Sequence, residues 1–558
     1  MSPRDTGGTR SGSGAQDGGA RGAGGRDAGA RDADGRGAGR DRSSSRPSAP
    51  RRGPAVQPSR RVAYDVLEAV RESDAYANLL LPSRIEAAHL NSADAAFATE
   101  LTYGTLRRQG TYDRLLAIVA ARPVIDIDPA VLDVLRLGTH QLIGMRVASH
   151  AAVGESVELV RQIDAPAAAG FVNGILRTIS RRTPEQWNET VLEGLKGPRR
   201  LAIEHAHPRW IVDAFSAALA ADGRDGSTGT AASTEASTDA SSDTSAARPT
   251  GDTPSSVAPT TTAPSELAAL LAADNIPPRV SLVALPGLST PDELGETARL
   301  DDTDAAPVSP LAVRLSGGDP GDVAAVRTGR ARVQDEGSQL AALALSRARD
   351  ITPGEQWLDM CAGPGGKAAL LAAEAARGSA TLIANELVPV RAGLVRQSLA
   401  AVRPAPEVVV GDGRRFATEA PARFDRILLD APCSGLGALR RRPEARWRKS
   451  ADDIPQLVAL QSDLLDTAIV ALRPGGLLAY VTCSPHPAET REVVAAALAR
   501  HPHLRTVDTP AVLDGIATRP LELTGGTAAQ LWPHRHGTDA MFVQLLTTTD
   551  AQASDDAR

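Results

Sequence analysis

With 558 residues, 42% of them hydrophobic, the chain is long enough for two or three folded units with real cores. Only 3% are aromatic, so those cores must be built from Ala, Val and Leu; a formal charge of −6 excludes a basic surface over the whole molecule, and any contact with nucleic acid has to be local. Three cysteines, Cys361, Cys433 and Cys483, exclude a disulfide scaffold and lack the spacings of a zinc site, so no metal is expected.

Residues 1–57 are rich in Gly, Arg, Asp and Ser, which reads as a disordered tail without the apolar core of a signal peptide. Order is predicted to begin near Ser59, where Val62, Val66, Leu67 and Val70 recur at helical spacing. Asp128 before Pro129 marks a helix start, since Asp caps free amides and Pro suits the first turn. Val131, Leu132 and Leu135 then supply an apolar stripe, and further helix follows over Val153–Val160 and Phe171–Ile179. Residues 58–190 therefore read as a compact all-helical domain. Residues 191–345 read as a small α+β segment, with β-like Val280–Leu285, interrupted at 222–263 by a Ser/Thr/Ala/Asp/Pro run expected to be disordered.

Over residues 346–548 the pattern changes to strand and helix alternation, with residues 549–558 as a second disordered tail. Gln356–Met360, Thr381–Glu386, Glu407–Asp412, Arg426–Asp430 and Leu477–Thr482 are short apolar runs, mostly separated by helical stretches. This predicts a mostly parallel α/β sheet, whose ligands sit at the carboxyl ends of the strands. No apolar run approaches the roughly 20 residues that cross a bilayer. A cytoplasmic protein without a membrane partner is expected, and nothing calls for more than a monomer.

The first of these strands runs into Cys361, Ala362, Gly363, Pro364, Gly365, Gly366 and Lys367, followed by a helix. Glycines let a backbone approach a ligand, but such a loop alone is a weak signal, and it matches neither the phosphate loop nor the dinucleotide fingerprint. Glu386, Asp412 and Asp430 strengthen it: three carboxylates at strand ends are costly to bury unpaired, and one after the second strand suits a ribose diol. A nucleoside cofactor is favoured. Two of the three cysteines also fall at strand ends, in Asp430-Ala431-Pro432-Cys433-Ser434-Gly435-Leu436-Gly437 and in Thr482-Cys483-Ser484.

Together with Gln334-Asp335-Glu336-Gly337-Ser338-Gln339 and His536-Gly537-Thr538-Asp539, these segments resemble the RNA cytosine-C5 methyltransferases of the Sun family. The likeness is strongest to members acting on small-subunit (16S) ribosomal RNA, because residues 58–190 resemble the NusB-like RNA-binding domain that precedes their catalytic domain. It covers nearly everything but the tail and the insertion; one departure is Gly363, where the family commonly has Ala. The resemblance implies a Rossmann-like domain that binds S-adenosyl-L-methionine through Cys361–Lys367, Glu386, Asp412 and Asp430. It assigns attack on cytosine C6 to Cys483 and release of the product to Cys433. Asp430 is then placed to hydrogen-bond the N3 and amino edge of the base, with Lys367 as a second polar contact.

Carbon 5 of cytosine is a poor nucleophile until something adds at C6, and a thiolate does so well. A cytosine in a stack is out of reach, so the target must be unpaired or flipped out. Arg440, Arg441, Arg442, Arg446, Trp447, Arg448 and Lys449 follow the Pro-Cys loop, and a basic run with one aromatic suits a phosphate backbone and a stacked base. The rival expectations are the same chemistry on transfer RNA or another ribosomal site, and a non-catalytic RNA-binding assembly factor.

Overall fold

A computed structural model describes residues 56–73, 75–223, 265–297, 306–523 and 526–549. The expected tail up to residue 55, the insertion over 224–264 and the residues from 550 on lie outside these.

The chain enters through seven helices: α1 (Pro58–Glu72), α2 (Ala77–Ala87), α3 (Ser92–Ala120), α4 (Pro129–Ile143), α5 (Ser149–Gln162), α6 (Ala169–Ile179) and α7 (Pro184–Leu192). Their starts are chemically marked. The Asp128 carboxylate accepts the Ala130 and Val131 amides at 2.9 and 3.1 Å, and Thr183 with Gln186 forms a reciprocal capping box on α7. Their apolar faces close one core around Val66, Leu101, Leu116, Val134, Leu135, Val160 and Leu176.

Helices continue beyond residue 190 as α8 (Gly197–Glu204), α9 (Arg209–Ala221) and α10 (Glu266–Ala273). Ile211, Phe215 and Leu271 from these helices share a core with Leu436, Leu439 and Trp532 much later in the chain. Strands β1 (Ser281–Ala284), β2 (Ala312–Arg314) and β3 (Ala331–Val333) form a small antiparallel sheet with β1 in the centre.

The large sheet has eight strands. They are β4 (Gln356–Asp359), β5 (Thr381–Glu386), β6 (Glu407–Val410), β7 (Phe424–Asp430), β8 (Leu472–Thr482), β9 (Leu504–Thr506), β10 (Ala529–Gln530) and β11 (Phe542–Thr548). The order is β10-β11-β8-β7-β4-β5-β6, with β9 also paired to β11. The block β8-β7-β4-β5-β6 is parallel and contains the five predicted strands, although β4 and β6 end before Met360 and Asp412 and β8 starts early, at Leu472. Antiparallel β11 and its neighbours β9 and β10 extend the sheet beyond β8.

Alternation along β7 sends Leu428 into the core on one face, and Ile427 and Leu429 into the core on the other. Both faces are thus covered, and the carboxyl ends of the parallel strands are left as the place where polar side chains meet.

Candidate active site

Four contiguous parallel strands end in or just before a carboxylate: Asp430 on β7, Asp359 on β4, Glu386 on β5 and Asp412 two residues after β6. Asp359 was not among the predicted site residues. It is buried, neither carboxylate oxygen has a hydrogen-bond partner, and burial together with the Asp430 carboxylate pushes its pKa up to about 8. Glu386 is buried, accepting the Gly363 amide at 3.0 Å and the Val388 amide at 2.9 Å. A Cβ at Gly363 would stand 2.1 Å from Glu386 Oε2, so an alanine there needs the carboxylate to shift. Asp412 is half-buried and clasped by Arg414, whose hydrogen bonds hold it below the usual carboxylate range.

The Gly-rich loop turns at Gly365, with φ of +109°, into the helix Gly366–Arg377. Cys361 in this loop is half-buried, with its thiol pushed up by burial and then by Asp359, which leaves it a poor nucleophile. Lys367 reaches across to Asp430, Nζ to Oδ2 2.8 Å. Burial opposes its charge, but the Asp430 carboxylate outweighs this and its pKa stays above the ordinary value.

Strands β7 and β8 are parallel neighbours, with Asp430 beside Val481, so the residues following them emerge side by side. Cys433 Sγ and Cys483 Sγ lie 3.4 Å apart. The chain between is pinned at Gly437, whose amide donates to the Cys483 carbonyl at 2.8 Å while its carbonyl accepts the Ala540 amide at 2.8 Å. Any Cβ there would come within 1.9 Å of the Ala540 carbonyl oxygen, so only glycine permits this approach.

The two thiols are not equivalent. A hydrogen bond from Cys433 lowers the Cys483 pKa against burial and Asp430, with Lys367 and Arg442 also helping. Cys433 is raised by the same bond, by burial, and by the charges of Cys483, Glu489 and Asp430. The pair thus holds one proton on Cys433 and favours negative charge on Cys483.

Much of the basic run after Cys433 is engaged inside the protein. Arg440 and Arg441 are spent in a buried cluster with Asp335 and Asp539, at 2.6 to 2.9 Å. Arg446 is 0% exposed, donating to the carbonyls of Arg107, Ala206 and Asp274 and to the Asn275 side chain. Arg448 donates to the Val70 and Ala75 carbonyls. Guanidinium groups whose terminal nitrogens are bonded inside the protein are unavailable to phosphates. Arg442 is exposed, Lys449 is half-buried, and Trp447, 37% exposed, packs at Gly110 of α3. The run is therefore chiefly a staple between the Pro-Cys loop and the helical domain. Its charge gave no sign of this, because the partners are mostly carbonyls hundreds of residues away.

Family models match the two halves of the chain separately: "NusB family" over residues 57–181 and "16S rRNA methyltransferase RsmB/F" over residues 347–547. The class is thereby defined as an S-adenosylmethionine-dependent methyltransferase with a Rossmann-like catalytic sheet and an N-terminal NusB-like helical region. Over 504 residues the chain is 45% identical to the methyltransferase-type protein Rv1407 of Mycobacterium tuberculosis, covering 90% of this chain and 98% of that one. It is 31% identical over 460 residues to ribosomal RNA small subunit methyltransferase B of Pseudomonas putida, covering 80% and 91%. The solved structure of PH0851 shares the fold, with a TM-score of 0.65 at 20% identity, over 89% of this chain and 100% of that one. The chain belongs to the RsmB/F family of methyltransferases.

The strand ends fit S-adenosylmethionine. An unpartnered buried carboxylate, Asp359, needs a cationic or hydrogen-donating neighbour, and the ligand carries an ammonium, a sulfonium and a ribose diol. Among the described residues no cluster of His, Cys, Asp and Glu is built to hold a metal, and no helix is long and apolar enough to cross a membrane.

Proposed function

We propose that this protein methylates carbon 5 of a cytosine in small-subunit ribosomal RNA through a transient bond between Cys483 and the base. The observation that carries the reading is the Cys433–Cys483 pair, whose Sγ atoms lie 3.4 Å apart beyond the ends of two neighbouring parallel strands. Bound along Cys361–Lys367, Asp359, Glu386 and Asp412, S-adenosylmethionine supplies an electrophilic methyl group.

The Cys483 thiolate adds to C6, forming a C–S bond, while the electron pair of the C5–C6 double bond is drawn toward N3 and the amino edge. Asp430 accepts from the amino edge, and the Lys367 ammonium bonded to it supplies the proton to N3. The enamine so formed places its electron pair on C5, which takes up the methyl group. Because Cys483 is now bonded to carbon, neither its hydrogen bond nor its charge holds Cys433 up any longer, and Cys433 ionises by passing its proton to solvent. Its thiolate removes the C5 proton. The C5–C6 double bond reforms, the C–S bond breaks with Cys483 leaving as thiolate, and N3 returns its proton to the Lys367–Asp430 pair. Residues 58–190 and the accessible side chains of the basic run, Arg442, Trp447 and Lys449, hold the RNA by its backbone and an unpaired base.

The test is transfer of labelled methyl from S-adenosylmethionine to 16S ribosomal RNA, with digestion to nucleosides. Wild type is expected to give 5-methylcytidine and Cys483→Ala none. Label on another nucleoside, or undiminished label with Cys483→Ala, would contradict the reading. Label on transfer RNA but not on ribosomal RNA would keep the chemistry and change the substrate.

A further inference from the structure

Each of the paired cysteines is followed by a serine, and both serines are buried. Their hydroxyls donate to one oxygen of a single carboxylate, Glu489 Oε2, at 2.5 Å from Ser434 and 2.6 Å from Ser484. The other oxygen, Oε1, accepts the Ser434 amide at 2.7 Å and Gln461 Nε2 at 3.2 Å. Gln461 also donates to the Pro432 carbonyl at 2.8 Å, and the Tyr480 hydroxyl donates to the Glu489 carbonyl at 2.8 Å. Glu489 is 0% exposed, and among the described residues no Lys or Arg forms an ion pair with it. Its burial is balanced by hydrogen bonds alone, drawn from both cysteine-bearing loops.

We infer that Glu489 is a positioning residue, clamping the Pro-Cys-Ser and Thr-Cys-Ser loops so that Cys433 and Cys483 face the same base at a fixed separation. Both of its oxygens receive donors only, a set that a carboxylate accepts in full and an amide only in part. Its charge acts in the same direction as its geometry. The Cys433 thiol is held up first by its bond to Cys483 and by burial, and the Glu489 carboxylate adds to this, so the negative charge of the pair stays on Cys483. The inference rests on the division of labour proposed above, in which Cys483 attacks and Cys433 releases.

A 1 Å misplacement of a reacting group costs about a hundredfold in rate. The release step is the more sensitive one, because the adduct already fixes Cys483 to the base while Cys433 must still reach the C5 proton. In full-length Glu489→Ala, with both cysteines intact, the RNA adduct that survives denaturation should therefore accumulate. The expected rise is about tenfold over wild type per methyl group transferred, with KM for RNA unchanged. Glu489→Gln can still meet both serines through its amide and should accumulate far less. Should Glu489→Ala fail to fold, the Ser434→Ala/Ser484→Ala double variant removes the same ties and carries the test.

Adduct and turnover falling in equal proportion, or no accumulation while Cys433→Ala still traps RNA, would overturn the positioning role alone. Failure of Cys433→Ala to trap RNA would remove the two-cysteine reading, and the clamp with it.

Discussion

Asp359 carries a raised pKa, near 8 rather than 3.8, because it is buried beside Asp430. Its contribution to the ligand-free fold is therefore fully present below pH 4 and is lost as pH rises through 8. A cationic ligand reverses the preference and ionises the group. Binding of S-adenosylmethionine at pH 7 should release about one proton, measurable by calorimetry in buffers of different ionisation enthalpy. Asp359→Asn should bind more weakly and release none; equal release by both proteins would exclude this role. At the cysteines, Cys483 should be alkylated by iodoacetamide at lower pH than an ordinary thiol. Cys433→Ala should move that midpoint upward, since it removes the S–H donor that favours the thiolate. The strand-end positions of Cys433, Cys483 and Asp430 were legible in the sequence because each closes or follows an apolar run, the two cysteines in matching contexts, whereas Lys367 entered with the family resemblance. Asp359 and Glu489 were not, because nothing in Trp357-Leu358-Asp359 or His486-Pro487-Ala488-Glu489 reports that the carboxylate is buried.

At the scale of elements, the parallel strands were readable from their apolar runs, and the α4 start from Asp128 and Pro129. Strands β9 and β10 have three and two residues, too short for any periodicity, and β11 takes its place from pairing with β8, a long-range choice. The internal partners of segment 440–449 were illegible for the same reason: charge is local information, while Asp335, Asp539 and Asn275 are supplied by the fold. Two motifs that carried the family resemblance meet here, since Asp335 and Asp539 bind the same two arginines. Arg442→Ala and Lys449→Ala should each weaken RNA binding and lower the slope of log affinity against log salt by about one. Arg446→Ala should instead cost about 3 kcal/mol of stability, read by urea unfolding. A loss of salt dependence with stability intact would return Arg446 to the RNA surface.

Across the whole molecule, the staple joins the NusB-like region to the catalytic sheet. Glu444 accepts the Ala77 amide at the start of α2, Arg446 reaches α3, and Arg448 reaches the α1–α2 connection. The two regions should unfold in one thermal transition in the wild type, and Arg446→Ala should separate it into two. The sequence read the two regions as separate units, and it had no means of showing that the loop carrying Cys433 is also their junction.

The central claim is that one cysteine bonds to the base and the other frees it. Incubating Cys433→Ala with S-adenosylmethionine and 16S ribosomal RNA, then denaturing, tests it most directly. A protein–RNA band that persists in Cys433→Ala and vanishes in Cys433→Ala/Cys483→Ala is the predicted result. A band that survives loss of Cys483, or none in Cys433→Ala while the wild type methylates the same RNA, would contradict it.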